Sequence, residues 1–140
     1  DVCWIRAMGL KIEGKIVDTM IAGSLVDENR FRYDLGSLGR DYVGIGKNEA
    51  VLKETAAHWG IDHKAEMYKL PAMYVGEYAE QDAVVTLKLW QEMKRQMENE
   101  DVQSIFDLET ELFPCLVDMR FLGVRVDVEA AHKLKQELVK

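Results

Sequence analysis

The chain has 140 residues, of which 48% are hydrophobic and 31% are charged. Its 18 Lys and Arg against 25 Asp and Glu give a net charge of -7. A freestanding nucleic-acid-binding module normally has the opposite balance, because it must neutralise phosphates. The composition therefore argues against a simple DNA-binding module and leaves room for a cation site.

The cysteines and the apolar segments narrow the class of protein further. Cys3 and Cys115 lie far apart, so neither a disulfide framework nor a thiolate zinc site is expected. No apolar run approaches the roughly 20 residues that span a bilayer, and the N-terminus has no basic, apolar targeting pattern. The first residue is Asp1 rather than Met. We expect a cytoplasmic chain without a membrane partner that is a piece of a larger protein.

The first third of the chain predicts short elements. Residues 2–8 are expected to form a helix that a glycine ends. Residues 10–18 alternate apolar and polar side chains and predict a hairpin-like approach or a single short strand. Helices are expected over residues 19–26 and 35–42. Because an isolated strand cannot satisfy its own backbone hydrogen bonds, we expect an upstream segment to supply its neighbours.

The rest of the chain predicts longer helices. Asn48 is a candidate N-cap for the next helix. Residues 78–97 have the strongest helical periodicity, and a charged segment after them predicts a boundary near residue 100. A second long helix then begins near Ile105, and Asp127 is expected to cap a last helix. On the helix over 78–97, one apolar stripe is predicted from residues at helical spacing: Ala79, Ala83, Leu87 and Trp90.

One pair of side chains has a spacing that suits metal binding and the orientation of a water molecule. Tyr78 lies four residues before Asp82, which on a helix places a phenol and a carboxylate on one face about one turn apart. Carboxylate oxygens suit Mg²⁺ or Mn²⁺, and a phenol can orient an attacking water. On the residues alone, chance is the stronger explanation of such a pair, because helices routinely expose acids.

The segments YAEQDAVVTLKLW, DTMIAGSLV and RYDLGSLGRDY resemble the proofreading 3′–5′ exonuclease domain of the family-A DNA polymerases. Residues 78–82 are similar to the third exonuclease motif of that family, Tyr-x-x-x-Asp. Asp1 lies seventeen residues before Asp18, the offset of the family's second-motif aspartate. The segment LFPCLVDMRFLGVRVD resembles the bridge into the polymerase domain. An RNase D-like ribonuclease shares Tyr-x-x-x-Asp but is not expected to continue in this way.

The resemblance implies an architecture and a function. The fold would be α/β and RNase H-like, mostly helical in this chain, with its first strands upstream. Residues 1–100 would be the C-terminal part of the exonuclease domain, and residues 101–140 the start of the DNA polymerase domain. The reaction would be two-metal hydrolysis at the single-stranded 3′ end of DNA, in a bacterial or virus-infected cell. The other partners would be the upstream strands and the downstream polymerase domain of the same parent chain.

The resemblance also assigns roles to individual residues. Asp1 and Asp82 would be ligands of two divalent metal ions, Mg²⁺ or Mn²⁺, and Tyr78 would position the attacking water. Arg32 would contact the DNA backbone, although a solvated loop whose arginine stems pack on aromatic rings is an equal alternative. Asp18 is better explained as a helix cap.

One element of the family pattern is missing, and alternatives stay open. The family's first motif, an Asp-x-Glu on the first strand, has no counterpart and is expected upstream of Asp1. In the family those two acids hold both metal ions, and two-metal hydrolysis needs both ions at the attacking and leaving oxygens, so this chain is expected to be inactive on its own. Besides the RNase D-like ribonuclease, one alternative is a catalytically inert exonuclease-like domain that braces a polymerase. Another is an unrelated helical interaction protein, which would fold as a stable monomer from these residues alone.

Overall fold

Helices make up nearly all of the regular structure of this chain. The computed structural model describes residues 1–46 and 48–139. Within them no strand is formed, and none of the helices has the length and apolarity needed to cross a bilayer. The elements in chain order are α1 (Val2–Ala7), α2 (Thr19–Val26), α3 (Leu35–Val43), α4 (Ala50–His58), a 3₁₀ turn (Met67–Lys69), α5 (Ala72–Asn99), α6 (Gln103–Leu122) and α7 (Val128–Leu138).

The prediction of a mostly helical chain is confirmed, and the prediction of a strand over residues 10–18 is wrong. Those residues have no regular structure, and Gly14 adopts a φ of 94°. An extended segment becomes a strand only when a neighbour pairs with its backbone groups, and the described residues supply no such neighbour. The apolar–polar alternation therefore indicates an extended segment here without forming a sheet.

The chain divides into two compact units. The first unit consists of Asp1–Lys15 and Glu111–Lys140, and the second consists of Ile16–Thr110. The division falls inside α6. The second unit contains α2, α3, α4 and α5 and the residues of the Tyr-x-x-x-Asp motif.

Helix α5 is the central element of the second unit, and α2, α3 and α4 all pack against it. Its buried side chains recur every four residues, which aligns them on one face of a helix. They are Val85, Leu89, Met93 and Met97. The main core combines three of them with residues of α2, α3 and α6: Ala22, Leu38, Leu89, Met93, Met97 and Phe106.

The apolar stripe predicted on α5 does not lie on the buried face of the helix, so that prediction is wrong. Leu87 is 66% exposed, Ala79 and Ala83 are exposed, and Trp90 is half-buried. Helix α5 has apolar residues on two faces, and both faces satisfy helical spacing. Trp90 still packs against the core, since its ring centroid lies 5.4 Å from that of Phe106.

Aspartate side chains begin three of the helices. The Asp18 carboxylate accepts a hydrogen bond from the Met20 amide at 2.8 Å, and that of Asp127 accepts one from the Ala130 amide at 2.9 Å. Such bonds satisfy amides that have no partner within the helix. The predictions that Asp18 and Asp127 cap helices are therefore confirmed. For α4 the cap position is Glu49, while the Asn48 side chain accepts from the Ala50 amide at 3.3 Å.

The cap of α3 makes stability depend on pH. The Asp34 carboxylate accepts from the Ser37 hydroxyl at 2.8 Å and from the Ser37 amide at 3.1 Å. The hydroxyl bond is the main reason that the pKa of Asp34 is lowered from its ordinary value. A carboxyl whose pKa is lower in the folded chain stabilises the fold above its ordinary pKa, and this contribution is lost as the pH falls through the lowered value.

We expect Asp34→Ala to lower the free energy of opening of α3 by about 1 kcal/mol at pH 7, the usual value of an N-cap. The difference between wild type and variant should shrink toward zero at acidic pH, because Asp34 is then protonated in both states of the wild type. Native-state hydrogen exchange of the α3 amides measures both quantities. A difference that stays constant between pH 7 and pH 3 would contradict the capping role of the charged carboxylate.

In the first unit, α1 and the end of α6 are linked through Arg6. Its guanidinium forms an ion pair with Asp118 and lies 4.6 Å from the centroid of the Phe121 ring. Among the described residues of this unit, Val117 is the buried hydrophobic side chain. The exposed large hydrophobic residues of the first unit include Trp4, Met8, Met119, Leu122, Val124 and Leu138.

Candidate active site

The predicted pair lies on α5 as expected. Tyr78 and Asp82 are one helical turn apart, so their side chains leave the same face. Both residues are half-buried rather than fully exposed. The Asp82 backbone carbonyl also accepts a hydrogen bond from the Thr86 hydroxyl one turn later, at 2.7 Å. The helix therefore presents a phenol and a carboxylate together at the border between the packed interior and solvent.

Tyr78 is held from one side by a small apolar cluster. The buried members of this cluster are Leu52 and Ala56 of α4 and Leu70, which precedes α5. Tyr78 and Val75 pack against them. A half-buried phenol combines an apolar ring with a polar hydroxyl, so this packing restricts where the hydroxyl can lie. The packing of α4 therefore constrains the phenol ring.

Gln81, which lies between Tyr78 and Asp82 in the motif, makes contacts that the sequence does not predict. The Gln81 side-chain amide donates to the Gly46 carbonyl at 3.0 Å, and its oxygen accepts from the Asn48 amide at 3.3 Å. These bonds join α5 to the loop that leads into α4. No signal in the sequence pointed to them, because Gln81 is separated from these residues by 35 and 33 positions.

The two arginines ahead of α3 differ in their surroundings. Arg30 forms an ion pair with Asp41 and lies 5.3 Å from the Tyr42 ring centroid. The hydrogen bond to Asp41 is the main cause that raises the pKa of Arg30. Arg32, the predicted DNA contact, is exposed, and the described residues include no acidic side chain in an ion pair with it. The packed-stem interpretation therefore fits Arg30, and the guanidinium of Arg32 is left accessible to solvent.

The other predicted residues lie at the starts of helices. Asp1 is exposed and precedes α1 in the first unit, whereas Tyr78 and Asp82 belong to the second unit. A common site for Asp1 and Asp82 stays a prediction. Asp18 caps α2, as described above.

The described residues fit only part of a metal site. In residues 1–46 and 48–139, no three His, Cys, Asp or Glu side chains come together in a way that could hold a metal ion. Two Asp-x-Glu triplets do occur in the sequence, at 107–109 within α6 and at 127–129 at the start of α7. Neither lies on a strand, so neither matches the first motif of the exonuclease pattern.

Comparison with known proteins decides the family. The family model described as 3′–5′ exonuclease matches residues 1–98, which is more than half of the chain. The chain belongs to this family, the exonuclease domain of the family-A DNA polymerases. The family predicted from Tyr-x-x-x-Asp and its flanking segments is thus confirmed. Members of this exonuclease family normally use divalent metal ions.

Curated relatives agree with the family. A DNA-directed DNA polymerase of Pseudomonas phage M6 is 35% identical over 119 residues, which cover 85% of this chain and 18% of that protein. DNA polymerase DpoZ of Acinetobacter phage SH-Ab 15497 is 28% identical over 99% of the chain and 23% of its own length. DNA polymerase I of Chloroflexus aurantiacus is 26% identical, with 96% and 14% covered. The chain therefore spans less than a quarter of the length of each of these relatives.

Proposed function

We propose that this exonuclease-family chain is part of a DNA-directed DNA polymerase whose 3′–5′ exonuclease proofreads DNA. The observation that carries the proposal is the shared face of α5, where Tyr78 and Asp82 lie one turn apart and half-buried in a chain of this family. Water would attack the 3′-terminal phosphodiester of single-stranded DNA. The bond to the preceding 3′ oxygen breaks, that oxygen takes up a proton, and a nucleoside monophosphate leaves.

In this proposal Asp82 and Asp1 supply oxygen ligands for two divalent metal ions, Mg²⁺ or Mn²⁺. When bound, such ions stabilise the charge that develops on the attacking and leaving oxygens. Because the described residues contribute only part of a ligand set, the remaining carboxylates would come from elsewhere in the parent chain. The RNase H-like arrangement and its upstream strands belong to the same proposal.

Tyr78 and Arg32 would act on the water and on the DNA. A phenol hydroxyl can both donate and accept a hydrogen bond, so Tyr78 can hold a water molecule in a fixed direction while its ring stays packed on α4. The exposed guanidinium of Arg32 can pair with a backbone phosphate. Its accessibility supports this role, whereas the ion pair of Arg30 makes that arginine a weaker candidate.

The proposed domain boundary is based on the residue at which the family match ends. We propose that residues 1–100 are the C-terminal part of the exonuclease domain and that residues 101–140 begin the polymerase domain. The family model ends at residue 98, while phage and bacterial polymerases remain similar over 96 to 99% of the chain. That continuation favours a polymerase over an RNase D-like ribonuclease. Relatives from phages and bacteria also support a place of action in the cytoplasm of a bacterial or virus-infected cell.

The proposal is tested on the parent polymerase with a 5′-labelled single-stranded oligonucleotide. Stepwise shortening from the 3′ end that requires Mg²⁺ or Mn²⁺ is the expected result. An inert domain that only braces the polymerase would leave the oligonucleotide intact while nucleotide incorporation continues. That outcome would replace the proofreading function with the bracing alternative.

A more specific expectation concerns the phenol. We expect Tyr78→Phe to lower the exonuclease kcat by about tenfold, the value of one well-placed hydrogen bond. The affinity for Mg²⁺ should stay the same, because the substitution removes only the hydroxyl and keeps the packed ring. Single-turnover hydrolysis and a Mg²⁺ titration of the same variant separate the two effects. Tyr74→Phe, on the same helix one turn earlier, serves as the matched control and should change neither quantity.

A further inference from the structure

Gln81, the residue before Asp82, holds the loop that leads into α4 against α5. Its side-chain nitrogen donates to the Gly46 carbonyl, and its side-chain oxygen accepts from the Asn48 amide. A carboxamide offers one donor end and one acceptor end, and here each end faces the complementary backbone group. This pairing fixes the orientation of the amide and the distance between the loop and α5.

The same segment then leads directly to the cluster that holds Tyr78. The Asn48 side chain accepts from the Ala50 amide at the first residue of α4. Two residues later α4 supplies Leu52, and one turn after that Ala56, which with Leu70 form the cluster on which Tyr78 packs. The segment 46–58 thus contacts α5 at two places, through the hydrogen bonds of Gln81 to the loop before α4 and through the apolar packing of α4 at Tyr78.

We propose that Gln81 is a positioning residue for the exonuclease reaction, acting through α4 on the phenol of Tyr78. The proposal rests on the function proposed above, in which Tyr78 orients the attacking water. Apolar packing has little directional preference, whereas two directed hydrogen bonds fix the position of the loop from which α4 begins. Small displacements of a group that orients a reactant are costly in rate. The Gln81 amide therefore preorganises the phenol without touching the substrate.

The test uses Gln81→Met in the full-length parent polymerase, because Met has a similar length and cannot form either hydrogen bond. The matched control is Gln91→Met, at an exposed position on the same helix. We expect Gln81→Met to lower the exonuclease kcat by about tenfold with KM within about twofold of wild type. Nucleotide incorporation should stay unchanged, and the control should behave as wild type.

A second measurement reports on the two hydrogen bonds of Gln81 and does not depend on activity. Hydrogen exchange of the amides in 48–58 should be about tenfold faster in Gln81→Met, because two hydrogen bonds that hold this segment are lost. Gln81→Glu keeps an acceptor for the Asn48 amide but has no donor for the Gly46 carbonyl. Its exchange rate should lie between those of wild type and Gln81→Met.

A double substitution tests whether Gln81 acts through the phenol. In Tyr78→Phe, the further change Gln81→Met should cost little additional kcat, because residues that act as one unit give losses that do not add. Losses that multiply, or a rise in KM without a fall in kcat, would overturn the positioning role. Unchanged hydrogen exchange of the amides in 48–58 would show that the Gln81 hydrogen bonds do not hold this segment.

The outcomes also separate this inference from the proposed function. If neither Tyr78→Phe nor Asp82→Ala affects hydrolysis of single-stranded DNA, the proposed function fails and the positioning role fails with it, whatever the exchange rates show. If both substitutions reduce hydrolysis while Gln81→Met leaves kcat at the wild-type value, the proposed function stands and only the role of Gln81 is overturned.

Discussion

Asp82→Ala in the parent polymerase is expected to lower the exonuclease kcat by about 1000-fold or more, since loss of a metal ligand removes several kcal/mol of charge stabilisation. Nucleotide incorporation should remain near normal, because Asp82 lies on α5 within the segment that the exonuclease family model covers. Asp82 is the carboxylate that shares a helix face with Tyr78, so its loss removes one of the two groups that define the proposed site. Paired assays of single-strand degradation and primer extension on one preparation measure both activities.

The matched control for Asp82→Ala is Glu80→Ala. Glu80 is exposed on the same helix two positions earlier, and its removal changes the net charge by the same amount. If charge near the DNA were the cause of the effect, both substitutions would slow hydrolysis equally. Efficient degradation of single strands by Asp82→Ala would contradict the assignment of Asp82 as a ligand and would favour an inert domain.

Local rules correctly predicted the features whose cause lies within a few residues of the chain. The caps at Asp18 and Asp127 are of this kind, because each carboxylate bonds an amide two or three residues later. The shared face of Tyr78 and Asp82 also follows from helical spacing alone. The family could be predicted because the resemblance lies in several short contiguous segments, and not in the Tyr-x-x-x-Asp pair alone.

Features that depend on distant partners could not be predicted in this way. Helix α5 has two apolar faces, and only the packing of α2, α3 and α4 decides that Leu89 is buried while Leu87 is exposed. The strand expected over residues 10–18 requires a pairing partner that the described residues do not contain. The hydrogen bonds of Gln81 join segments more than 30 residues apart, and the Tyr-x-x-x-Asp pattern does not predict them. Local sequence determines where helices begin, whereas the contacts between helices determine which helix faces are buried.

Helices α3 and α5 approach closely at Gly39. This residue is buried in α3, where α3 packs on α5. A Cβ atom at this position would lie 2.7 Å from Cγ1 of Val85 and 2.8 Å from the backbone oxygen of Ile45. Carbon atoms in contact are normally about 3.5 to 4.0 Å apart. Neither neighbour can move easily, because valine has few rotamers and the carbonyl belongs to the backbone.

We expect Gly39→Ala to destabilise the second unit by about 3 kcal/mol, the upper part of the usual range for an overpacked core. The gain of about 1 kcal/mol in helix propensity that alanine normally brings should not offset this cost. The free energy of opening from native-state hydrogen exchange in α3 and α5 measures the change. Exonuclease activity should fall with it, because α5 also positions Tyr78 and Asp82.

Gly76→Ala is the matched control, since it places the same methyl group on α5 itself. A Cβ atom there has no neighbour within 4 Å in the described structure, so only the helix propensity changes. Gly76→Ala should therefore stabilise α5 by about 0.5 to 1 kcal/mol. Opposite signs for the two substitutions would demonstrate that Gly39 is required by the close approach of α3 to α5. Stabilisation by Gly39→Ala would show instead that the two helices can separate at this point without cost, which contradicts the packing described here.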